Sequence, residues 1–185
     1  MPDRDESFER LLATLRKAVA ALREADVEFL LGGSLASWAR GGPETDHDVD
    51  LFVRESDAQK AAEGLAAARF EVERPAEGWL VKARDGDVLV DVIFRPSSGA
   101  VDDDVFARAE DMEVDAVRLR VASLEDVLAA KLLALNEQNL DYRSVLEIAR
   151  ALREQVDWAA VEERTKDSPY ARAFLSLARD LDVAA

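Results

Sequence analysis

Residues 27–53 read VEFLLGGSLASWARGGPETDHDVDLFV, and the fold depends on how this stretch divides. An apolar run, Phe29-Leu30-Leu31, ends abruptly in Gly32-Gly33-Ser34. A small amphipathic segment follows from Leu35 to Ala39, then a polar loop broken by glycine and proline. The last piece, Asp48-Val49-Asp50-Leu51-Phe52-Val53, alternates as a strand does. Side chains at i and i+2 of a strand share a face. Asp48 and Asp50 are therefore expected side by side, with Val49 and Leu51 turned the other way.

Two carboxylates on one face raise each other's pKa unless a cation sits between them. Mg²⁺ takes oxygen ligands, usually one or two carboxylates together with substrate phosphates. The Gly-Gly-Ser turn suits the phosphates. Glycine lets the backbone approach a ligand closely, and exposed N–H groups at a helix start attract anions. Thirteen residues, 35–47, separate this cradle from the acidic pair. Taken singly, each half has an ordinary reading: a plain strand-to-helix turn, and an exposed acidic strand start near Asp46. The combination is the more specific pattern. His47 is expected to line the loop.

Outward from this stretch, the chain is 185 residues long, enough for one domain with a sizeable core. It has no cysteine and one histidine, which excludes disulfide scaffolds, zinc–thiolate sites and His-rich metal sites. No apolar run approaches membrane-spanning length, so no membrane partner is expected. The start, MPDRDESFER, lacks the apolar region of a signal peptide, and the expected location is cytoplasmic. The net charge of −15 disfavours a broad nucleic-acid-binding surface. An acidic excess with few lysines equally suits a high-salt or GC-rich source.

Phe8, Leu11, Leu12, Leu15, Val19 and Leu22 form a helical stripe over 7–25, with Asp5, Glu6 and Ser7 at its start. Strands are expected at 27–32 and 48–53, and helices at 34–40 and 56–69. Three more strands follow at 70–74, 79–84 and 87–94. The first two are separated by residues 75–78, the last two by the hairpin signal Asp85-Gly86. Asp91 is one acid in an otherwise apolar strand, a costly placement unless paired or metal-bound. Residues 96–111 read as irregular, with a short helix at 103–109, and 114–121 as a single strand. Ser123, Glu125 and Asp126 begin a helix. Helices are expected at 124–136, 141–153, 157–165 and 168–181. Composition shifts to wholly helical near 122, so a core of residues 1–121 and a C-terminal helical region of 122–185 are expected. Trp38, Trp79 and Trp158 are scattered and read as core or surface packing rather than as a base-stacking platform.

Gly-Gly-Ser followed by Asp-x-Asp resembles the signature of polymerase-β-like nucleotidyltransferases. The resemblance implies an α+β fold, a mixed central sheet flanked by helices with a C-terminal helical region. It implies a third carboxylate from a later strand, matched by Asp91 rather than by the turn acids Asp85 and Asp87. Asp48, Asp50 and Asp91 would then be catalytic and would bind Mg²⁺, two ions in this family, or Mn²⁺. Gly33 and Ser34 would hold the phosphates of an NTP. Residues 123–152 resemble the C-terminal motif of abortive-infection-toxin-type and aminoglycoside-type relatives. There Lys131 matches a lysine that neutralises triphosphate charge, and Asp141 an acid of the next helix. Asp141 also reads as a simple helix-start acid, since the arginine that often accompanies it near Asn139 is missing.

The activity implied is transfer of a nucleoside monophosphate from an NTP, such as ATP, to an acceptor hydroxyl. The acceptor would be a tRNA 3′ end or a protein side chain, with the chain as the toxin of a toxin–antitoxin pair and a cognate antitoxin as its partner. The alternative is a small-molecule acceptor of aminoglycoside type, with Asp102, Asp103 and Asp104 lining its pocket, although the chain is short for a two-domain enzyme of that kind. The remaining alternative is a catalytically silent nucleotide-binding module.

Overall fold

The computed structural model describes residues 4–45, 48–76 and 78–184, with side chains from Glu6 onward. Asp46, His47 and Glu77, and the side chain of Asp5, lie outside the described residues, so the expectations for His47, for the end of the 41–47 loop and for the helix start at Asp5 concern residues not described here.

Seven strands form one mixed sheet. They are β1 (Phe29–Leu31), β2 (Asp48–Val53), β3 (Glu71–Glu73), β4 (Leu80–Asp85), β5 (Val88–Ile93), β6 (Glu110–Val114) and β7 (Val117–Val121). The spatial order is β3-β4-β5-β2-β1-β7-β6. The pairs β5–β2 and β1–β7 are parallel, and the other four are antiparallel. The helices are α1 (Arg4–Glu24), α2 (Gly33–Trp38), α3 (Ala58–Ala67), α4 (Asp103–Ala107), α5 (Leu124–Leu133), α6 (Arg143–Leu152), α7 (Trp158–Thr165) and α8 (Pro169–Asp180). No helix is long and apolar enough to cross a membrane.

The stripe read on α1 is buried along its whole length and packs with α3 on one face of the sheet. Val49, Leu51 and Val53 of β2 are fully buried, as are Val90 and Val92 of β5. Strand periodicity turns Asp48, Asp50 and Phe52 to the opposite face.

The helix α5 is apolar nearly all round, the pattern of a helix buried on more than one side. It gives Val127 to the core under the sheet and Leu124, Leu128 and Leu132 to a second core built with α6, α7 and α8. At its start, Ser123 accepts from the Asp126 backbone N–H and donates its hydroxyl to the Asp126 carboxylate. That carboxylate also accepts two bonds from Arg108, at 3.0 and 2.8 Å, and one from Arg164 at 3.0 Å. One buried acid thus ties the end of α4, α5 and α7 together.

One expectation is corrected. Residues 114–121 are not a single strand: Asp115 and Ala116, both left-handed at φ 47° and 60°, turn the chain into a β6–β7 hairpin. Strand β6 takes residues 110 and 111 from the segment read as irregular. The run Val-Asp-Ala-Val keeps strand alternation through the turn, and alanine carries no left-handed turn signal. The other boundaries shift by one to three residues, with a 3₁₀ turn at Glu55–Asp57 leading into α3.

Candidate active site

Asp50 and Asp91 are in direct register on the parallel pair β2–β5, and Asp48 lies two residues before Asp50 on the same strand. One carboxylate oxygen from each of the three lies within 4.8 Å of the other two. Three like charges this close need a counter-charge. Asp91 is 8% exposed, and its Oδ1 is buried without a hydrogen-bond partner among the described residues. The Asp50 carboxyl is pushed up from the ordinary 3.8 to about 7, chiefly by burial and then by Asp48, with a smaller push from Asp91 and with Lys131 opposing them. The Asp91 carboxyl is likewise raised, chiefly by burial and then by Asp48, against Lys82 and Arg84. An all-carboxylate set with an orphaned buried oxygen fits a hard divalent cation. Asp48, Asp50 and Asp91 could therefore hold a metal ion.

The competing acids are engaged elsewhere. Asp85 pairs with Lys17 at 2.6 Å and Asp87 with Arg10 at 3.4 Å, both on α1.

The glycine turn meets this cluster from the other side. The Gly32 N–H donates to the Asp50 carbonyl at 2.9 Å, fixing the end of β1 against β2. Gly33 opens α2 with φ +56°, and a Cβ there would lie 1.7 Å from Asp50 Oδ2. Only glycine lets the chain pass so close to the carboxylate in that conformation. Ser34 follows at once, and its Oγ accepts from Lys131 Nζ of α5 at 3.1 Å. The turn, the acids and the lysine of the second helical layer thus meet at one place. Asp141 does not join them: its Oδ1 accepts from the Arg143 N–H at 2.9 Å, and the residue is exposed at the start of α6.

Beside the cluster lies a slot of about 180 Å³ between the sheet and α5. Gly33, Asp50 and Lys131 line it, and Phe52, Ile93 and Trp79 extend it. Trp38 packs edge-on against Phe8 at 5.0 Å and Trp158 is buried, as packing residues should be. Trp79 instead is 39% exposed and borders the slot. Sequence patterning does not place it beside the slot, whose other wall comes from α5, far along the chain. A second cavity, about 330 Å³, adjoins the slot through Phe52 and Pro96 and has Arg108 and Arg164 in its wall.

The fold is shared with solved nucleotidyltransferases. The antibiotic-resistance factor ANT(2″)-Ia in solution matches with a TM-score of 0.63 and 17% identity, over 91% of this chain and 92% of that one. A crystal structure of ANT(2″)-Ia in complex with adenylyl-2″-tobramycin matches with a TM-score of 0.62 and 15% identity, over 89% and 97%. A Thermotoga maritima protein assigned to the nucleotidyltransferases matches with a TM-score of 0.55 and 21% identity, over 67% and 84%. The chain thus spans nearly all of ANT(2″)-Ia. No curated protein sequence matches. Residues 11–174, however, match the family model described as nucleotidyl transferase of unknown function (DUF2204), and the chain belongs to that nucleotidyltransferase family.

Proposed function

We propose that this enzyme transfers a nucleoside monophosphate from an NTP to an acceptor hydroxyl and releases pyrophosphate, with Mg²⁺ as the natural ion and Mn²⁺ as a substitute. The observation that carries the reading is the Asp48–Asp50–Asp91 cluster, with oxygens within 4.8 Å of one another, facing the Lys131–Ser34 hydrogen bond across Gly33. Asp48 and Asp50 would hold the cation beside the triphosphate, and Asp91 would complete the set. Divalent cations there would neutralise the triphosphate and acidify the acceptor hydroxyl.

The chain's own groups have separate tasks. The Gly33 backbone and Ser34 Oγ orient the phosphate tail, and Lys131 supplies a positive charge against it. The acceptor oxygen attacks the α-phosphorus as the bond to the β-phosphate oxygen breaks, and pyrophosphate leaves. Asp91, whose carboxyl is already raised by burial, takes the acceptor's proton. Most of the catalysis is positioning and charge neutralisation.

Two acceptor classes remain as proposals: a macromolecular hydroxyl, as in a toxin paired with an antitoxin, and a small aminoglycoside-like molecule. The likeness to ANT(2″)-Ia along nearly the full chain favours the second. Its proposed acidic lining is weaker than the sequence implied. Asp103 is paired with Arg54 at 2.8 Å, and Asp102 Oδ1 caps α4 through the N–H groups of Asp104 and Val105.

The test is incubation with α-labelled NTPs, Mg²⁺ and a lysate separated into RNA, protein and small-molecule fractions. Label in one fraction, absent with Asp50→Ala, supports the reading and names the acceptor. Label that persists with Asp50→Ala refutes the site. Mg²⁺-dependent NTP binding without any label points to an acceptor or partner missing from the lysate, whereas neither label nor binding returns the chain to the silent-module alternative.

A further inference from the structure

The slot beside the acids begins where the triphosphate would end. Its near end is formed by Gly33, Asp50 and Lys131. Its floor is the pair Phe52 and Ile93, in direct register two residues beyond the pair Asp50 and Asp91. Val127, Ala130 and Ala134 of the α5 segment form the facing wall, and Trp79 stands at the mouth. The Trp79 carbonyl accepts from the N–H groups of Phe94 and Arg95, both at 3.2 Å, which fixes the residue at the head of β4. Its indole N–H has no hydrogen-bond partner among the described residues, and 39% of the residue is exposed.

An indole held at the mouth of an apolar slot, one strand step from a phosphate-and-acid cluster, is placed to cover a flat ring. Among the described lining residues, Asp50, Lys131 and Ser97 are the ones with a conventional polar side chain. The first two belong to the phosphate end, which leaves the exposed Ser97 to meet the edge of a base. The slot's volume of about 180 Å³ is below the roughly 300–1,000 Å³ of sites that enclose drug-sized molecules. Asp91, the acid assigned to the acceptor, does not line it. A bulky acceptor therefore fits it poorly, and a nucleobase tethered to the triphosphate fits it well.

We propose that this slot takes the base of the donor nucleotide, that Trp79 stacks over it, and that the base is held by stacking with little reading of its edge. The inference rests on the nucleotidyl-transfer reading above and adds to it how the donor is selected. Every base has a π-face, so stacking tolerates all four. Donor choice should accordingly be broad, and set in the cell by NTP abundance.

The experiment is calorimetric titration of the full chain with Mg²⁺ and, in turn, ATP, GTP, CTP, UTP and inorganic tripolyphosphate. In the wild type the four NTPs are expected to bind within about tenfold of one another, and each more tightly than tripolyphosphate. Trp79→Ala is expected to weaken all four by about 5- to 100-fold and to leave tripolyphosphate unchanged, while Trp79→Phe restores most of the loss. Unchanged NTP affinity in Trp79→Ala overturns the stacking role. A preference of about a hundredfold or more for one base overturns the claim of weak edge reading. Equal loss of tripolyphosphate binding shows that the substitution disturbs the phosphate site, and also overturns it. If the wild type binds none of the five ligands, the nucleotidyl-transfer reading itself falls, and this inference with it.

Discussion

A Cβ built on Gly33 would lie 1.7 Å from Oδ2 of Asp50. The glycine and the carboxylate therefore form one device: the turn can pass the acid only because position 33 has no side chain. Gly33→Ala should push the Asp50 carboxylate out of the cluster and also strain a left-handed residue, at about 1–2 kcal/mol. Transfer is expected to fall by about a hundredfold or more while the chain still folds. Turnover measured beside a thermal melt checks this. A variant with normal turnover would show that the Asp50 position is not critical.

Asp50→Asn and Asp48→Asn remove one of three crowded charges. Without metal, either variant should melt at or above the wild-type temperature, because repulsion is relieved. Either should lose about 10²- to 10³-fold or more in transfer. Paired melting and turnover assays separate a ligand role from a structural one, since a purely structural acid would lower both.

Stability should depend on pH through Asp50. Its carboxyl sits at about 7 in the folded protein against an ordinary 3.8, so the folded chain keeps a proton that the unfolded chain has released. The metal-free protein should then lose stability as pH rises from about 4 to about 7 and level off above that. Mg²⁺ should raise the melting temperature more at about pH 8 than at about pH 5, because it competes with that proton. Melting curves with EDTA and with Mg²⁺ across this range give the sign directly.

Asp126→Asn would leave Arg108 and Arg164 without their shared charge. Removing one partner of a fully buried pair costs about 3–5 kcal/mol, but both arginines keep about a third of their side-chain surface. About 2 kcal/mol is expected after discounting for solvent, or about 4–8 °C in melting temperature. A denaturant melt of the variant, with Arg164→Ala for comparison, checks the size.

The acidic cluster was legible because strand alternation is a local signal. Asp48 and Asp50 follow from period two; Asp91 stands out as a lone acid in an apolar strand, but its place beside them was implied by the resemblance. Lys131 could be read only by resemblance, since a lysine on a mostly apolar helix does not announce which neighbour it will meet. The Asp126 network was not legible: Ser123 and Asp126 read only as a helix start, while Arg108 and Arg164 arrive from 18 and 38 residues away. The β6–β7 hairpin was missed because Ala116 occupies a turn conformation that glycine or asparagine usually marks. Trp79 escaped for a different reason: it shares the slot with residues of α5, which no local window contains.

The parallel pairing of β2 with β5 has a kinetic consequence. Asp50 and Asp91 are brought together across a long stretch of intervening chain that holds α3, β3 and β4. Non-local pairing of this kind forms late, because loop closure must precede any gain from contact. A nascent chain that has closed only β1 on β2 carries two of the three acids and no complete cation site. A cation that needs all three is thus a ligand of the finished sheet, able to slow its unfolding but not to seed its assembly.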